Sequence, residues 1–63
     1  MTVKHIFLKT DGYQKISIKD YQDDSIVYFT GLCDDIPFRI MDYEVEDISV
    51  NPIATLVLKV SKM

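Results

Sequence analysis

The sequence predicts a mostly β fold, namely a five-stranded antiparallel meander that forms an open sheet or a small barrel, with one short helical turn. Three observations lead to this prediction. β-Branched and aromatic residues alternate with polar ones at period two along most of the chain. Asp11-Gly12 and Asn51-Pro52 place turn chemistry between these alternating runs. With 48% hydrophobic and 27% charged residues, the composition is that of a globular chain.

The first predicted strand spans residues 3–9, and the second spans residues 13–19. Asp11-Gly12 between them tolerates the positive φ angles of a tight turn, so the pair is expected to form a hairpin. In the second strand Ile16 and Ile18 share one face, while Lys15, Ser17 and Lys19 share the other.

A polar connection over residues 20–25 leads to a third predicted strand over residues 26–32. This strand is apolar on both sides, with Ile26, Tyr28 and Leu32 on one face and Val27 and Phe29 on the other. Such a strand is expected to be central or to lie under a second layer. Gly31 near its end indicates a bulge or a close approach of another backbone.

Residues 34–41 fit two structures. Ile36, Phe38 and Ile40 alternate as in a strand, whereas Ile36 and Ile40 also stack at i, i+4, and Pro37 fits the first turn of a helix. Asp34 or Asp35 can cap such a helix. These residue preferences favour one short helical or 3₁₀ turn.

The fourth predicted strand spans residues 44–50, and the last spans residues 54–61. Val45 is out of parity with Ile48 and Val50, which indicates a bulge. In the last strand Leu56, Leu58 and Val60 are expected to face the core, and Thr55, Val57 and Lys59 to face away from it.

Sixty-three residues predict a single domain over residues 1–63, interpreted as a complete small gene product. A domain of this size buries only about 60% of its unfolded surface, so its margin of stability is thin. The lone Cys33 excludes an internal disulfide and, with no signal peptide or membrane span in the sequence, predicts a cytoplasmic location. We expect a homodimer, with Val27, Phe29 and Val57 as the dimer face on the side of the sheet away from the core.

The charge is segregated along the chain. Residues 1–19 carry a formal charge of +3, residues 20–51 carry −8 and residues 52–63 carry +2. An acidic region of this kind can steer a partner. The candidate partner-binding residues are Asp34, Asp35, Asp42, Glu44, Glu46 and Asp47.

No catalytic, metal or cofactor site is predicted. Cys33 precedes two aspartates, which disfavour a thiolate, and one Cys and one His do not make up the usual zinc ligand sets. Asp20, Asp23 and Asp24 lack the glycine and spacing of a calcium loop. An enzyme is therefore not expected.

The stretch from Ile26 to Val50 contains a strand that ends in Gly31, then Asp35-Ile36-Pro37, then the spaced aliphatics Val45 and Ile48. In this order it is similar to short uncharacterised proteins of Gram-positive bacteria and their phages. The resemblance implies a phage or prophage origin and carries no activity with it.

Two functions follow as expectations. The first is a small non-enzymatic interaction protein that presents an acidic surface to a protein partner. No interaction with a membrane is expected. The alternative is a small β-barrel that binds nucleic acid through the N-terminal hairpin, which bears Lys4, Lys9, Lys15 and Lys19. Nucleic acid is the less favoured partner because the sequence pI of about 4.7 opposes contact with phosphates.

Overall fold

The computed structural model describes residues 1–62 and contains one helix and four strands in that range. Two short 3₁₀ turns lie in the middle of the chain. The elements in chain order are α1 (Val3–Lys9), β1 (Lys15–Asp20), β2 (Val27–Leu32), the first 3₁₀ turn (Cys33–Asp35), the second 3₁₀ turn (Phe38–Ile40), β3 (Glu44–Val50) and β4 (Leu56–Ser61).

The four strands form one open sheet in the order β2-β1-β4-β3. β1 pairs with β2 and β3 pairs with β4 in antiparallel fashion, while β1 and β4 pair in parallel at the centre. The prediction of a five-stranded antiparallel meander is therefore wrong in strand number and in topology, and the sheet is not a closed barrel. The central pair joins the two most buried strands, since Ile18 and Leu58 are side by side and fully buried.

The predicted first strand is instead α1. Val3, Ile6 and Phe7 have the i, i+3, i+4 spacing that turns one helix face to the core. The N–H of Thr2 donates to Nδ1 of His5 at 3.1 Å, which satisfies one backbone group at the start of the helix. The Asp11-Gly12 turn is present, but it joins a helix to a strand, and the Tyr13 N–H donates to the Asp11 carboxylate at 2.9 Å.

α1 and the two 3₁₀ turns cover one face of the sheet. Their buried residues are Val3, Cys33, Ile36, Ile40 and Met41, and the sheet contributes Ile16, Ile18, Leu58 and Val60. The start of α1 is fixed to the chain before β3 by bonds from Val3 N–H to Tyr43 O and from Lys4 N–H to Met41 O, both at 3.0 Å. The opposite side of the sheet, here called the outer face, is not covered by any element of residues 1–62.

β2 is an edge strand, so of the two predicted alternatives, a central strand or a strand under a second layer, the first is wrong. Its pairing with β1 shifts between Ile18 and Lys19, which marks a bulge at Val27 and Tyr28. After the bulge Phe29 lies opposite the buried Ile18 and packs against the core. The apolar residues on both sides of this strand thus reflect a bulge that changes its parity.

The second half of the chain follows the predictions more closely. The 3₁₀ turns confirm the helical reading of residues 34–41, although there are two turns and not one. β3 has the predicted bounds, and its pairing with β4 shifts between Val45 and Asp47, as the parity of Val45 predicted. β4 begins later than predicted because the Asn51 carboxamide oxygen accepts the N–H groups of Ile53 and Thr55 and holds a turn there.

Candidate interaction site

Two of the six predicted partner-binding acids lie at the corner of the sheet where β2 ends. Asp34 and Asp35 form part of the first 3₁₀ turn and are exposed. The Asp34 N–H donates to the carbonyl of Gly12 at 3.1 Å. The Asp34 carboxylate covers Gly12 so closely that a Cβ atom there would overlap it. This pair of acids is therefore placed beside the turn between α1 and β1.

The acids of β3 lie at the diagonally opposite corner. β2 and β3 are opposite edges of the sheet and run in the same direction, and Asp34 follows the end of β2 whereas Glu44 begins β3, so Glu44 is far from Asp34. Glu44 is paired with the N-terminal ammonium of Met1 at 2.8 Å, and Glu46 accepts the Ser61 hydroxyl at 2.6 Å. Asp47 is opposite Lys59 in the strand pairing and is exposed. The structure thus divides the predicted acidic surface into two separate groups, with Asp42 exposed between the second 3₁₀ turn and β3.

The three aspartates before β2 already have partners within the chain. Asp20 accepts the N–H groups of Gln22 and Asp23 and the hydroxyl of Tyr28. The Ser25 hydroxyl donates to Asp23 at 2.6 Å, which lowers the pKa of the Asp23 carboxyl, and the Ser25 N–H acts in the same direction. Asp24 pairs with Lys59 at 3.2 Å. This agrees with the sequence-based view of the segment as a polar connection.

A small apolar groove lies between α1 and the second 3₁₀ turn. We call it the α1 groove, and it is lined by Lys4, Phe7, Leu8, Ile36, Phe38 and Met41. Its volume of about 190 Å³ is below that of a pocket for a drug-sized molecule, but it suits one large side chain. Phe38 is 87% exposed and Leu8 is 68% exposed, so two large apolar side chains stand at its rim.

Local structure explains why Phe38 points outward. Ile36, Ile40 and Met41 are buried on the core side, and the 3₁₀ turn that begins after Pro37 places Phe38 on the other side. Sequence reasoning did not single out Phe38. The sequence feature that indicates its exposure is the i, i+4 spacing of Ile36 and Ile40, because residue 38 lies on the opposite side of a helical turn from such a pair.

The three residues of the predicted dimer face do not share a face. Val57 lies on the outer face, and Val27 pairs with Lys19 on that same side and is half exposed. Phe29 is on the core side because of the bulge in β2, so the expectation that all three lie away from the core is wrong for Phe29. The prediction of a homodimer itself is not affected by this placement.

The lysines of the nucleic-acid alternative are also divided. Lys4 and Lys9 belong to α1, whereas Lys15 and Lys19 belong to β1 and project from the outer face. The two aromatic residues of β1–β4, Tyr28 and Phe29, both pack against the core, so the strands place no aromatic residue on the outer face beside these lysines. Binding of nucleic acid stays a prediction, but the basic hairpin on which it depended is not formed, because residues 3–9 are helical.

Cys33 and His5, the side chains most often used as nucleophile and base, are held in structural contacts. Burial raises the pKa of the Cys33 thiol, and the nearby Asp34 and Asp11 carboxylates raise it further. His5 Nδ1 lies 2.9 Å from the Thr2 hydroxyl. Among residues 1–62 no group of three or more His, Cys, Asp or Glu side chains is placed to hold a metal ion.

A surface depression of about 450 Å³ lies at the end of β1 and β4. Asp20 and Glu46 are among its lining residues, and both carboxylates already accept hydrogen bonds from within the chain. Acid–base catalysis by a carboxyl pair requires two acids in contrasting surroundings. Neither Asp20 nor Glu46 is buried, so the depression does not provide that contrast.

In comparisons with protein-family models, curated proteins and solved structures, nothing matches this chain. The similarity of residues 26–50 to short bacterial and phage proteins therefore stays an expectation from the sequence. Within the part of the chain that the structure describes, no helix is long and apolar enough to cross a membrane.

Proposed function

We propose that this protein is a non-enzymatic interaction module that binds a partner protein at the α1 groove. The observation that carries the proposal is the exposure of Phe38, a large aromatic side chain that is 87% accessible next to an apolar groove. Buried aromatic anchors provide much of the binding energy at protein interfaces, so an aromatic residue held outside the core is a typical anchor before binding.

Three of the six predicted acidic residues lie next to groove residues along the chain. Asp34 and Asp35 directly precede Ile36, and Asp42 directly follows Met41, so three exposed carboxylates border the groove along the chain. Glu44 and Glu46, in contrast, already have internal partners. We therefore assign the acidic partner-binding surface to Asp34, Asp35 and Asp42.

The partner follows from this chemistry. It presents an apolar side chain that enters the groove between Phe7 and Met41, and basic side chains that meet the three aspartates. Charges at the rim of an interface mainly raise the association rate and select the partner, whereas the apolar contact supplies the affinity.

Site-specific photo-cross-linking tests this proposal. A benzoylphenylalanine at position 38 is expected to cross-link one partner protein in a lysate of the source organism, which mass spectrometry then identifies. The matched control is the same residue at position 53, since Ile53 is also an exposed apolar residue but lies in the turn before β4.

The identified partner then permits a quantitative comparison. Phe38→Ser is expected to weaken its binding about tenfold or more, because burial of a phenylalanine contributes about 1.5–3 kcal/mol. Ile53→Ser should leave binding unchanged. Equal cross-linking from positions 38 and 53, or equal affinity of the two serine variants, would contradict the proposal.

A further inference from the structure

The two edges of the sheet differ in how they are protected. β3 carries Glu44, Glu46 and Asp47, has a bulge, and is partly covered where the Val45 N–H donates to the carbonyl of Met1 at 2.8 Å. Charges, bulges and coverage are the features by which proteins keep sheet edges from pairing with other chains. The β3 edge is therefore protected from pairing with a strand of another chain.

β2, the other edge, has no charged residue at all. Its sequence runs from Val27 to Leu32 within an uncharged run from Ser25 to Cys33. The bulge of β2 is confined to its start, so the part from Phe29 onward pairs regularly with β1. An uncharged regular strand at an open edge is a template for strand addition.

The hydrogen bonds of β2 show which residues are free to pair. The Cys33 N–H donates to the Gln14 carbonyl at 2.9 Å, so the backbone groups of Cys33, Gly31 and Phe29 face β1. Because the direction alternates along an antiparallel ladder, the backbone groups of Leu32 and Thr30 face away from β1. Thr30 is exposed and lies near the middle of this free edge.

We propose that a second copy of this chain pairs with β2, antiparallel, about a two-fold axis at Thr30. Such an axis pairs the strand with a copy of itself, so a strand with charges of one sign would repel itself, as β3 would. β2 has no charge to repel. In this register Thr30 faces Thr30, Tyr28 faces Leu32, and Phe29 faces Gly31, which has no side chain to obstruct the ring.

The resulting dimer has one continuous sheet with β3 at both of its ends. The outward N–H and C=O groups of Thr30 and Leu32 gain partners, and the α1 groove stays accessible because it lies over the core and not at the β2 edge. This interface differs from the predicted dimer face of Val27, Phe29 and Val57, since it uses the strand edge and not the outer face. It is also independent of the function proposed for the α1 groove.

Sedimentation equilibrium with two matched variants tests the proposal. At about 0.1 mM the wild-type protein is expected to have twice the 7.3 kDa mass of the chain, with a Kd in the micromolar range. Thr30→Lys places two ammonium groups at the axis and should give a monomer. Ser49→Lys, a similar change at an exposed position of the β3 edge, should leave the dimer intact.

Cross-linking gives a second readout that does not depend on the fold of Thr30→Lys. In a Cys33→Ala background, Thr30→Cys is expected to form an intermolecular disulfide, because directly opposed Cα atoms in this register are about 5.5 Å apart. A monomeric wild type, a dimer that survives in well-folded Thr30→Lys, or failure of Thr30→Cys to cross-link would each overturn the proposal. Loss of the dimer in Phe38→Ser would overturn it as well and would place the second copy in the α1 groove.

Discussion

The hydroxyl of Tyr28 donates a 2.8 Å hydrogen bond to Oδ1 of Asp20, while Oδ2 of the same carboxylate accepts two N–H groups of the following turn. One aspartate at the end of β1 therefore fixes both the 20–26 turn and the bulged start of β2. The ring of Tyr28 also meets Tyr43 edge to face at a centroid distance of 5.3 Å. This arrangement ties the free edge of the sheet to the segment before β3.

The Tyr28–Asp20 bond predicts how Tyr28 titrates. The hydrogen bond to Asp20 raises the pKa of the Tyr28 phenol above its ordinary value of 10.0, and loss of solvent and the carboxylate charge act in the same direction. The stabilisation is thus present below pH 10.0 and is lost as the pH rises through the folded pKa. Spectrophotometric titration should show a late-ionising tyrosine that Asp20→Asn shifts to lower pH and Tyr28→Phe removes. A late phase that persists in Tyr28→Phe and disappears in Tyr13→Phe would contradict this assignment.

Cys33 is predicted to be inert in the folded protein. It is almost fully buried, and burial and the nearby Asp34 and Asp11 charges raise the pKa of its thiol above the ordinary 9.0. Native protein should react with an aromatic disulfide reagent about a hundredfold more slowly than urea-unfolded protein, because reaction requires opening of the core.

The same thiol makes a pH-dependent contribution to stability. Since the folded pKa is raised, the contribution is present below pH 9.0 and is lost as the pH rises through the folded value. Urea unfolding at pH 7 and pH 10 should therefore show a smaller alkaline loss of stability in Cys33→Ala than in wild type. An identical loss in both proteins would exclude this contribution of Cys33.

The parts of the fold that the sequence predicts well depend on local signals. Ile16 and Ile18 alternate with polar residues, and both are buried. Val45 breaks parity with Ile48, and the bulge is there. The parallel pairing of β1 with β4 joins residues about forty positions apart, and no turn between neighbouring strands encodes it. α1 was missed because Val3, His5 and Phe7 also fit a period of two over so short a segment.

Part of the candidate site was also predictable from a local signal in the sequence. Asp34, Asp35 and Asp42 were identified from the segregation of charge along the chain. The division of the acids between two corners depends on the strand order, which residue patterns do not specify. In the sequence Phe38 is one of an alternating set with Ile36 and Ile40, and only the 3₁₀ geometry of residues 38–40 shows that it points to solvent.

Ala54 is predicted to be a site where substitution stabilises the protein. It has φ of 64°, in the left-handed region that a residue with a Cβ atom adopts at a cost of about 1–2 kcal/mol. Ala54→Gly removes that cost but makes the unfolded chain more flexible, so a net gain of about 0.5–1 kcal/mol in the free energy of unfolding is expected. The Ala54 carbonyl accepts the Gln14 carboxamide N–H at 2.8 Å, and glycine keeps this contact. Urea unfolding measures the change, and a Gly variant less stable than wild type would refute the prediction.

The three aspartates at the α1 groove are predicted to act on the rate of partner binding. Neutralising them together as Asp34→Asn, Asp35→Asn and Asp42→Asn should lower the association rate for the cross-linked partner and reduce its dependence on salt. The affinity loss of the triple variant is expected to lie between about 3-fold and 150-fold, because exposed ion pairs contribute about 0.2–1 kcal/mol each.

The control is the double variant Glu44→Gln and Glu46→Gln, whose carboxylates are engaged by Met1 and Ser61. It changes the net charge in the same direction, but at carboxylates of β3 that already have partners within the chain. Stopped-flow or surface-based kinetics at low and moderate salt separate the two cases, since interactions between exposed charges more than about 10 Å apart are largely screened at 0.1 M salt. If the control slows association as much as the aspartate variant does, net charge and not the location of Asp34, Asp35 and Asp42 directs the partner, and the assignment of the acidic surface to the groove fails.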